Sequence, residues 1–262
     1  MSIFDTHCHL DSPLFDPDRN TVLENCRKKG IDHILVPGIE QSGWERLLNL
    51  CEQEKELYPA LGLHPLFIEQ HQPQHLKQLE DHLAEHQAVA IGEFGLDFFI
   101  DNPDKERQLK YFSAQLDIAI NAKLPVVLHI RKAHDQVLSV LRKQPVVGGF
   151  AHAFNGSLQQ AQQFIDLGFK LGFGGALTYE RSHKIRHLAQ SLPLDAIVLE
   201  TDAPDMPVAA HRGERNSPEY IVDCLDVLAE LREEEPQYIA EQTCGNGLSI
   251  LGHPTTGISN SR

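Results

Sequence analysis

Short runs of apolar and β-branched residues alternate along this chain with longer amphipathic segments, from one end to the other. The runs read as buried strands and the longer segments as helices packed on them. Strands are predicted at Ile3–His7, His33–Pro37, Tyr58–Leu63, Val89–Glu93, Pro125–Ile130, Gly149–Ala153, Phe169–Phe173 and Ile197–Thr201. Helices are predicted at Pro17–Lys29, Gly43–Glu56, Gln74–His86, Lys105–Ala122, Ala133–Lys143, Leu158–Leu167 and His183–Ser191. Pro218–Arg232 follows the eighth strand, and a shorter helix runs from Pro236 to about Cys244. Ser157 reads as an N-cap, and Ser217-Pro218 as a cap followed by proline at the first helical position. Gly30 and Gly168 stand where helix C-terminal glycines belong. Repeated β-then-α units imply parallel strands joined by right-handed crossovers, and eight of them close into a (β/α)8 TIM barrel. A doubly wound open sheet is the alternative, but no glycine-rich dinucleotide fingerprint follows the first strand.

The length of 262 residues fits one such barrel, which takes ~250 residues. No linker-like shift in composition divides the chain, so one domain is expected over 1–252. The remaining 253–262, rich in Gly, Ser, Thr and Asn, is expected to fray. The five cysteines are scattered and form no C-x-x-C pair, which argues against a disulfide framework and for a reducing compartment. Asp5 and His7 interrupt the place where a signal peptide would be apolar. No stretch approaches the roughly 18 apolar residues of a membrane span. The expected location is the cytoplasm, with no membrane partner; a monomer is compatible with the sequence. The formal net charge of −14 argues against broad electrostatic adhesion to nucleic acid, though not against a local basic pocket.

The strand ends carry the chemistry. His7 and His9 close the first strand, two residues apart, a spacing that aims two imidazoles at one point. Cys8 between them is expected to be packed. His64 follows the third strand, Glu93 ends the fourth, His129 the fifth and His152 the sixth, and Asp202 follows the eighth. Taken singly, each has an ordinary reading: a hydrogen-bonded polar residue, or a turn residue in the case of Asp97 and Asp202. In a barrel, however, these ends share one face and converge on its axis. Strand after strand ending in a metal-competent side chain is not explained by turns. Four imidazoles (His7, His9, His129, His152) and two carboxylates (Glu93, Asp202) exceed what one ion uses while leaving room for substrate. Two divalent ions with Glu93 as the bridge fit better; hydrolytic pairs sit ~3.5–4 Å apart. Mixed nitrogen and oxygen donors suit Zn, Mn, Fe or Co, and suit Mg less because it disfavours imidazole.

With these residues in place, the chain resembles the TatD-type metal-dependent hydrolases of the amidohydrolase superfamily, within them a YjjV-like branch. The resemblance runs over roughly residues 2–252 and rests on Asp5-x-His7-x-His9, Gly62-Leu63-His64-Pro65, Gly92-Glu93-Phe94-Gly95-Leu96-Asp97, Leu128-His129-Ile130-Arg131, His152-Ala153-Phe154 and Glu200-Thr201-Asp202-Ala203-Pro204. It implies one metal held by His7, His9 and Asp202, a second by His129 and His152, and Glu93 bridging them. It also implies hydrolysis, with DNase activity common among members. The late Arg-x-x-Arg-Asn segment of the family is present as Arg212 to Asn216. Its C-terminal Asn-x-x-x-Leu-Phe pattern is not matched, because Gly245 to Leu251 lacks the aromatic, a departure that concerns helix packing.

The expected chemistry is hydrolysis by a metal-activated water, with Asp202 as general base and Glu93 as the shared ligand. Arg131 and Arg212 are candidates for neutralising a phosphate, and His64 for contacting substrate or supporting the metal ligands. Three functions follow. The first is a phosphodiesterase or deoxyribonuclease acting on DNA ends, and the second a hydrolase of a small phosphoester, carboxylic ester or amide. The third, a non-enzymatic metal-binding protein, is disfavoured because no position of the ligand set is missing. Aromatic residues for stacking along a nucleic-acid groove are few, and the basic candidates near the right loops are Arg181, Lys184, Arg186, Arg212 and Arg215.

Overall fold

Eight strands pair side by side in chain order, all parallel, in a computed structural model that describes residues 1–252. The tail, 253–262, lies outside the described residues. The strands are β1 (Ile3–Asp5), β2 (Ile31–Pro37), β3 (Leu57–Leu61), β4 (Ala90–Asp97), β5 (Val126–Arg131), β6 (Gly149–Ala151), β7 (Phe169–Phe173) and β8 (Ile197–Leu199). The sheet nearly closes on itself: the Thr6 N–H donates to the Leu199 carbonyl at 3.0 Å, and Cys8, buried as expected, bridges Ala203. Around it lie α1 (Arg19–Lys28), α2 (Trp44–Gln53), α3 (Pro73–Glu85), α4 (Lys105–Ala122), α5 (His134–Leu141), α6 (Leu158–Asp166), α7 (His183–Ser191), α8 (Ile221–Arg232) and α9 (Pro236–Ile250). This is the expected (β/α)8 arrangement. No helix among the described residues is long and apolar enough to cross a membrane.

The residues sort into two packed layers because successive strand side chains point to opposite faces. Phe4, Leu35, Ala60, Ala90, Val127, Phe150 and Val198 come from seven different strands and pack together as the inner layer. Their neighbours, such as Ile3, Ile34, Ile91, Leu128 and Leu171, pack against the surrounding helices. Helix starts follow local chemistry. The Ser157 hydroxyl accepts from the Gln160 N–H while the Gln160 side chain accepts from the Ser157 N–H, a reciprocal cap on α6. Gly30 and Gly168 adopt left-handed φ of 76° and 84° after their helices. Ser217 departs from expectation. It precedes Pro218, but its hydroxyl makes no cap bond, and the segment opens with a 3-10 turn, Pro218–Tyr220, before α8.

Three boundaries differ in ways that matter for the site. The first strand stops at Asp5, and the chain bends at Thr6. Strict alternation from the inward Phe4 would put Thr6 and Cys8 on the inner side, not His7 and His9. The bend is held by Asp5, whose carboxylate accepts from the Thr201 N–H (2.9 Å), the Thr201 hydroxyl (2.6 Å) and the His7 N–H (3.2 Å). The fourth strand runs on to Asp97, so Glu93 lies within β4 rather than at its end. There the β4–β5 register shifts between Ile91 and Phe94, an irregularity of the kind that re-aims a side chain. Finally, α9 continues to Ile250. The glycines at 245 and 247 lower helix propensity, yet packing carries the helix past the end expected near Cys244. Cys244 belongs to the inner layer, and Leu248, Ile250 and Leu251 pack against it. A Cβ at 247 would stand 2.6 Å from Phe4, so only glycine lets this helix close the barrel floor.

Candidate metal centre

Glu93 stands at the middle of the strand-end face, buried to 2% exposure, and its two oxygens serve different imidazoles. Oε2 lies 3.1 Å from His7 Nε2 and 3.4 Å from His9 Nε2. Oε1 lies 3.0 Å from His129 Nδ1, 3.2 Å from His64 Nε2 and 4.0 Å from His152 Nε2. Asp202 faces three of the same rings: Oδ1 is 3.7 Å from His7 Nε2 and 3.5 Å from His9 Nε2, and Oδ2 is 3.7 Å from His152 Nε2. The rings of His7 and His152 stack with centroids 3.8 Å apart. All six predicted ligands therefore converge. His64, read from the sequence as a substrate contact or a supporting residue, sits in the same cluster.

Further residues set the orientation of the rings. His9 Nδ1 lies 3.1 Å from the Pro37 carbonyl, which can only accept, so Nδ1 carries a proton and Nε2 is turned towards the carboxylates. His129 Nε2 lies 3.1 Å from Asp97 Oδ2. Asp97 also accepts the Phe99 N–H at 2.9 Å. It thus fills the turn role read from sequence and, in addition, holds His129. Glu200 is the residue that sequence reasoning quoted in a motif but gave no role. It is buried, its Oε1 lies 3.1 Å from His152 Nδ1, and the same oxygen accepts the Ala153 N–H at 2.7 Å. A Cβ at Gly172 would fall 1.9 Å from Glu200 Oε2, so glycine on β7 makes the room this carboxylate occupies. The signal was present in the sequence: a charged residue inside an otherwise apolar strand end is costly to bury without a partner.

Burial and neighbouring charge pull against each other here. Burial opposes the charge on Glu93, but the His64 and His7 rings and the donors of His129 and His64 outweigh it, and its carboxyl is held well below the usual range. Burial takes His64 down to about 4, so this ring is neutral and donates an N–H. Burial also opposes protonation of His152, yet the carboxylates of Glu200, Asp202 and Glu93 raise it to about 10. Asp202 is held below its ordinary value, burial being outweighed by His152 and His9. The cluster thus offers ionised carboxylate oxygens facing imidazole nitrogens, the donor forms that divalent cations take in exchange for protons.

Three overlapping donor groups are close enough to hold ions: His7 with His9 and Asp202, His7 with Glu93 and His152, and His64 with Glu93 and His129. In each, one atom per residue lies within 4.8 Å of the others. Nitrogen and oxygen donors in groups linked to one another through His7 and Glu93 suit a dinuclear divalent-metal centre; the donors do not single out one metal.

A cavity of about 460 Å³ opens beside the cluster, lined by His129, His152 and Asp202 and by Arg131, Asn155, Asp205, Leu66, Phe154, Ile185 and Met206 among others. Arg131 is half exposed, 4.0 Å from Asp97 Oδ2, with its guanidinium 4.0 Å from the centre of the Phe99 ring. Arg212 is exposed, follows the 3-10 turn Ala209–His211 and does not line this cavity. Arg215 is committed to structure: it makes two 2.8 Å bonds to the Asp18 carboxylate, and a third to the Leu14 carbonyl.

A parallel barrel with a carboxylate-bridged imidazole cluster at its strand ends defines a metal-dependent hydrolase of the amidohydrolase type. Residues 4–252 match the model of the TatD-related DNase family, and the chain belongs to that family. It is 42% identical over 253 residues to the metal-dependent hydrolase YjjV of Escherichia coli K12, an alignment that spans 95% of this chain and 98% of that protein. The crystal structure of E. coli YjjV superposes with a TM-score of 0.92 at 41% identity, covering 96% of this chain and 98% of that one. The 3'-5' ssDNA/RNA exonuclease TatD of Klebsiella pneumoniae is 31% identical over 265 residues, 98% of this chain and all of that protein.

Proposed function

We propose that this hydrolase is a phosphodiesterase that acts at the ends of nucleic-acid strands. The observation that carries the dinuclear part is the split of Glu93: one oxygen faces His7 and His9, and the other faces His129, His64 and His152. His7, His9 and Asp202 would hold one ion and His129 and His152 the other, with Glu93 bridging. When bound, such a pair supplies Lewis acidity and a water acidified towards neutrality. Asp202, ionised at neutral pH and lining the cavity, accepts the proton of the attacking water. Arg131 lines the cavity with a fixed fork of donors for a phosphate oxygen. His64, neutral and bonded to Glu93, keeps that carboxylate in place. Phosphoester specificity is supported by the single guanidinium in the cavity and by the activity in the name of the Klebsiella relative. The same single cation keeps alive a second reading, a hydrolase of a small phosphoester, carboxylic ester or amide.

Action at ends follows from charge. The chain carries −14, and Arg131 is the one Lys or Arg among the described residues that lines the cavity. Contact with one to three phosphates on a single strand gives a log–log salt slope of roughly −0.7 to −2.1. Metal-reconstituted protein is expected to degrade linear DNA and leave covalently closed circles intact, with KM showing that shallow slope. A steep slope, or rapid cutting of circles, would reveal a broad basic groove. Turnover of small esters without either DNA would establish the second reading.

The two arginines should separate. A hydrogen bond to a charged group is worth ~1.5–3 kcal/mol, so Arg131→Ala should raise KM for phosphodiesters more than about tenfold. An exposed charge off the cavity contributes less than ~1 kcal/mol, so Arg212→Ala should stay within about fivefold. Equal effects from both would place Arg212 in contact with substrate. Neutral carboxylic esters serve as the comparison, because loss of a phosphate clamp leaves their KM little changed.

A further inference from the structure

The cavity beside the metal cluster is more apolar than a phosphodiester alone requires. Leu66 is 49% exposed and Met206 38% exposed, although both are large and apolar. Both line the same cavity as the buried Phe154 and the half-buried Ile185. They come from four separate segments: the turn after β3, the loop after β6, helix α7 and the loop after β8. Scattered exposed apolar residues need no explanation, but apolar residues that converge on one cavity next to reactive groups mark a ligand surface.

The polar groups of the cavity limit what that ligand can be. Arg131 is its one guanidinium, and the acids Asp202 and Asp205 also line it. Lys184 does not line it; its ammonium donates to the Asn155 carbonyl at 2.5 Å. One phosphate is accommodated beside Arg131, and a second in the cavity would meet Asp202 and Asp205 without a cation of its own. A volume of about 460 Å³ is that of a small-molecule pocket rather than a strand-length groove. Apolar walls with an amide, Asn155, among them suit a flat group with apolar faces and a polar edge.

We propose that this cavity is the subsite for the base of a single terminal nucleotide, with Leu66, Phe154, Ile185 and Met206 as its wall and Asn155 at its polar edge. The inference rests on the phosphodiesterase reading and deepens it. The enzyme would recognise an end because only one nucleotide unit fits, and the base would be read by contact area more than by sequence. Every base has a flat apolar face, so contact with this wall does not select among bases.

The test uses two substrates with the same leaving group, thymidine 5'-p-nitrophenyl phosphate and methyl p-nitrophenyl phosphate, on metal-loaded protein. The wild type should prefer the thymidine compound in kcat/KM by tenfold or more. The exposed positions Leu66→Ala and Met206→Ala, combined, should cut that preference about tenfold. Calorimetric titration with thymidine 5'-monophosphate and with inorganic phosphate gives an independent readout: the nucleotide should bind tighter, and the double variant should lose most of the difference. No preference in the wild type, or an undiminished preference in the double variant, overturns the subsite. If neither ester is hydrolysed while the nucleotide binds tighter and the variant loses that advantage, the subsite stands and the phosphodiesterase reading falls. If both esters are hydrolysed and the nucleotide binds no tighter than phosphate, the reverse holds.

Discussion

Glu93→Ala is expected to remove both metals and with them the activity. Each oxygen of this carboxylate faces a different group of imidazoles, and no other described acid reaches His64 or His129 from the same position. Asp97 contacts His129 only through the opposite ring nitrogen, Nε2. Losing an outer partner of a metal ligand typically costs 10–100-fold in affinity or activity. Loss of a shared ligand should exceed that, with kcat/KM down by more than about 100-fold. Metal content after reconstitution should fall from about two ions per chain to less than one. His152→Ala, which in the proposed assignment removes a ligand of one ion only, should keep about one ion. Elemental analysis of the two purified variants decides the matter, with circular dichroism to show that both remain folded. A full pair in Glu93→Ala would mean that Glu93 does not bridge.

The second large effect is expected from a residue that touches no metal. Gly172→Ala would place a Cβ 1.9 Å from Glu200 Oε2 and 2.5 Å from its Cδ, so the Glu200 side chain must move. His152 then loses the carboxylate beside its Nδ1, and the Ala153 N–H loses its acceptor. A loss of 10–100-fold in affinity at the His152 site is expected, as for other outer partners. Glu200→Ala should cost a similar amount. Because the three nearest atoms to the added Cβ all belong to the end of Glu200, the pair should be strongly non-additive. Gly172→Ala added to Glu200→Ala should do almost nothing further. A double-mutant cycle on metal affinity tests this, and additive losses would show that Gly172 matters for the barrel backbone rather than for Glu200.

What could be read from the chain alone follows from interactions that are local or periodic. The alternation of apolar runs with amphipathic segments specified eight βα units, and barrel closure is the general solution for eight such units. The ligand types could be read for the same reason: chemistry at the C-terminal ends of barrel strands is shared by the fold, so His7, His9, Glu93, His129, His152 and Asp202 could be assigned to one face before any distance was known. The helix cap at Ser157, which depends only on neighbouring residues, was legible too.

What only the tertiary structure decided depends on residues far apart in sequence. His7 reaches the cluster because the chain bends after Asp5, and that bend is held by Thr201, 196 residues away. Glu93 faces inward where the β4–β5 ladder shifts register, an event set by pairing between strands and not by the strand's own pattern. The helix α9 runs past its expected end near Cys244 because packing on Phe4 overrides the low helix propensity of two glycines. Arg131 and Arg212 looked equivalent as strand-end and loop cations, yet only Arg131 lines the cavity. Glu200 gained its role from Gly172 on a neighbouring strand, a contact in which the informative feature is a missing side chain. Propensity and periodicity report on a residue's own few neighbours; the aim of a side chain at a shared site is fixed by backbone bends and close approaches between distant segments, which only the closed barrel brings together.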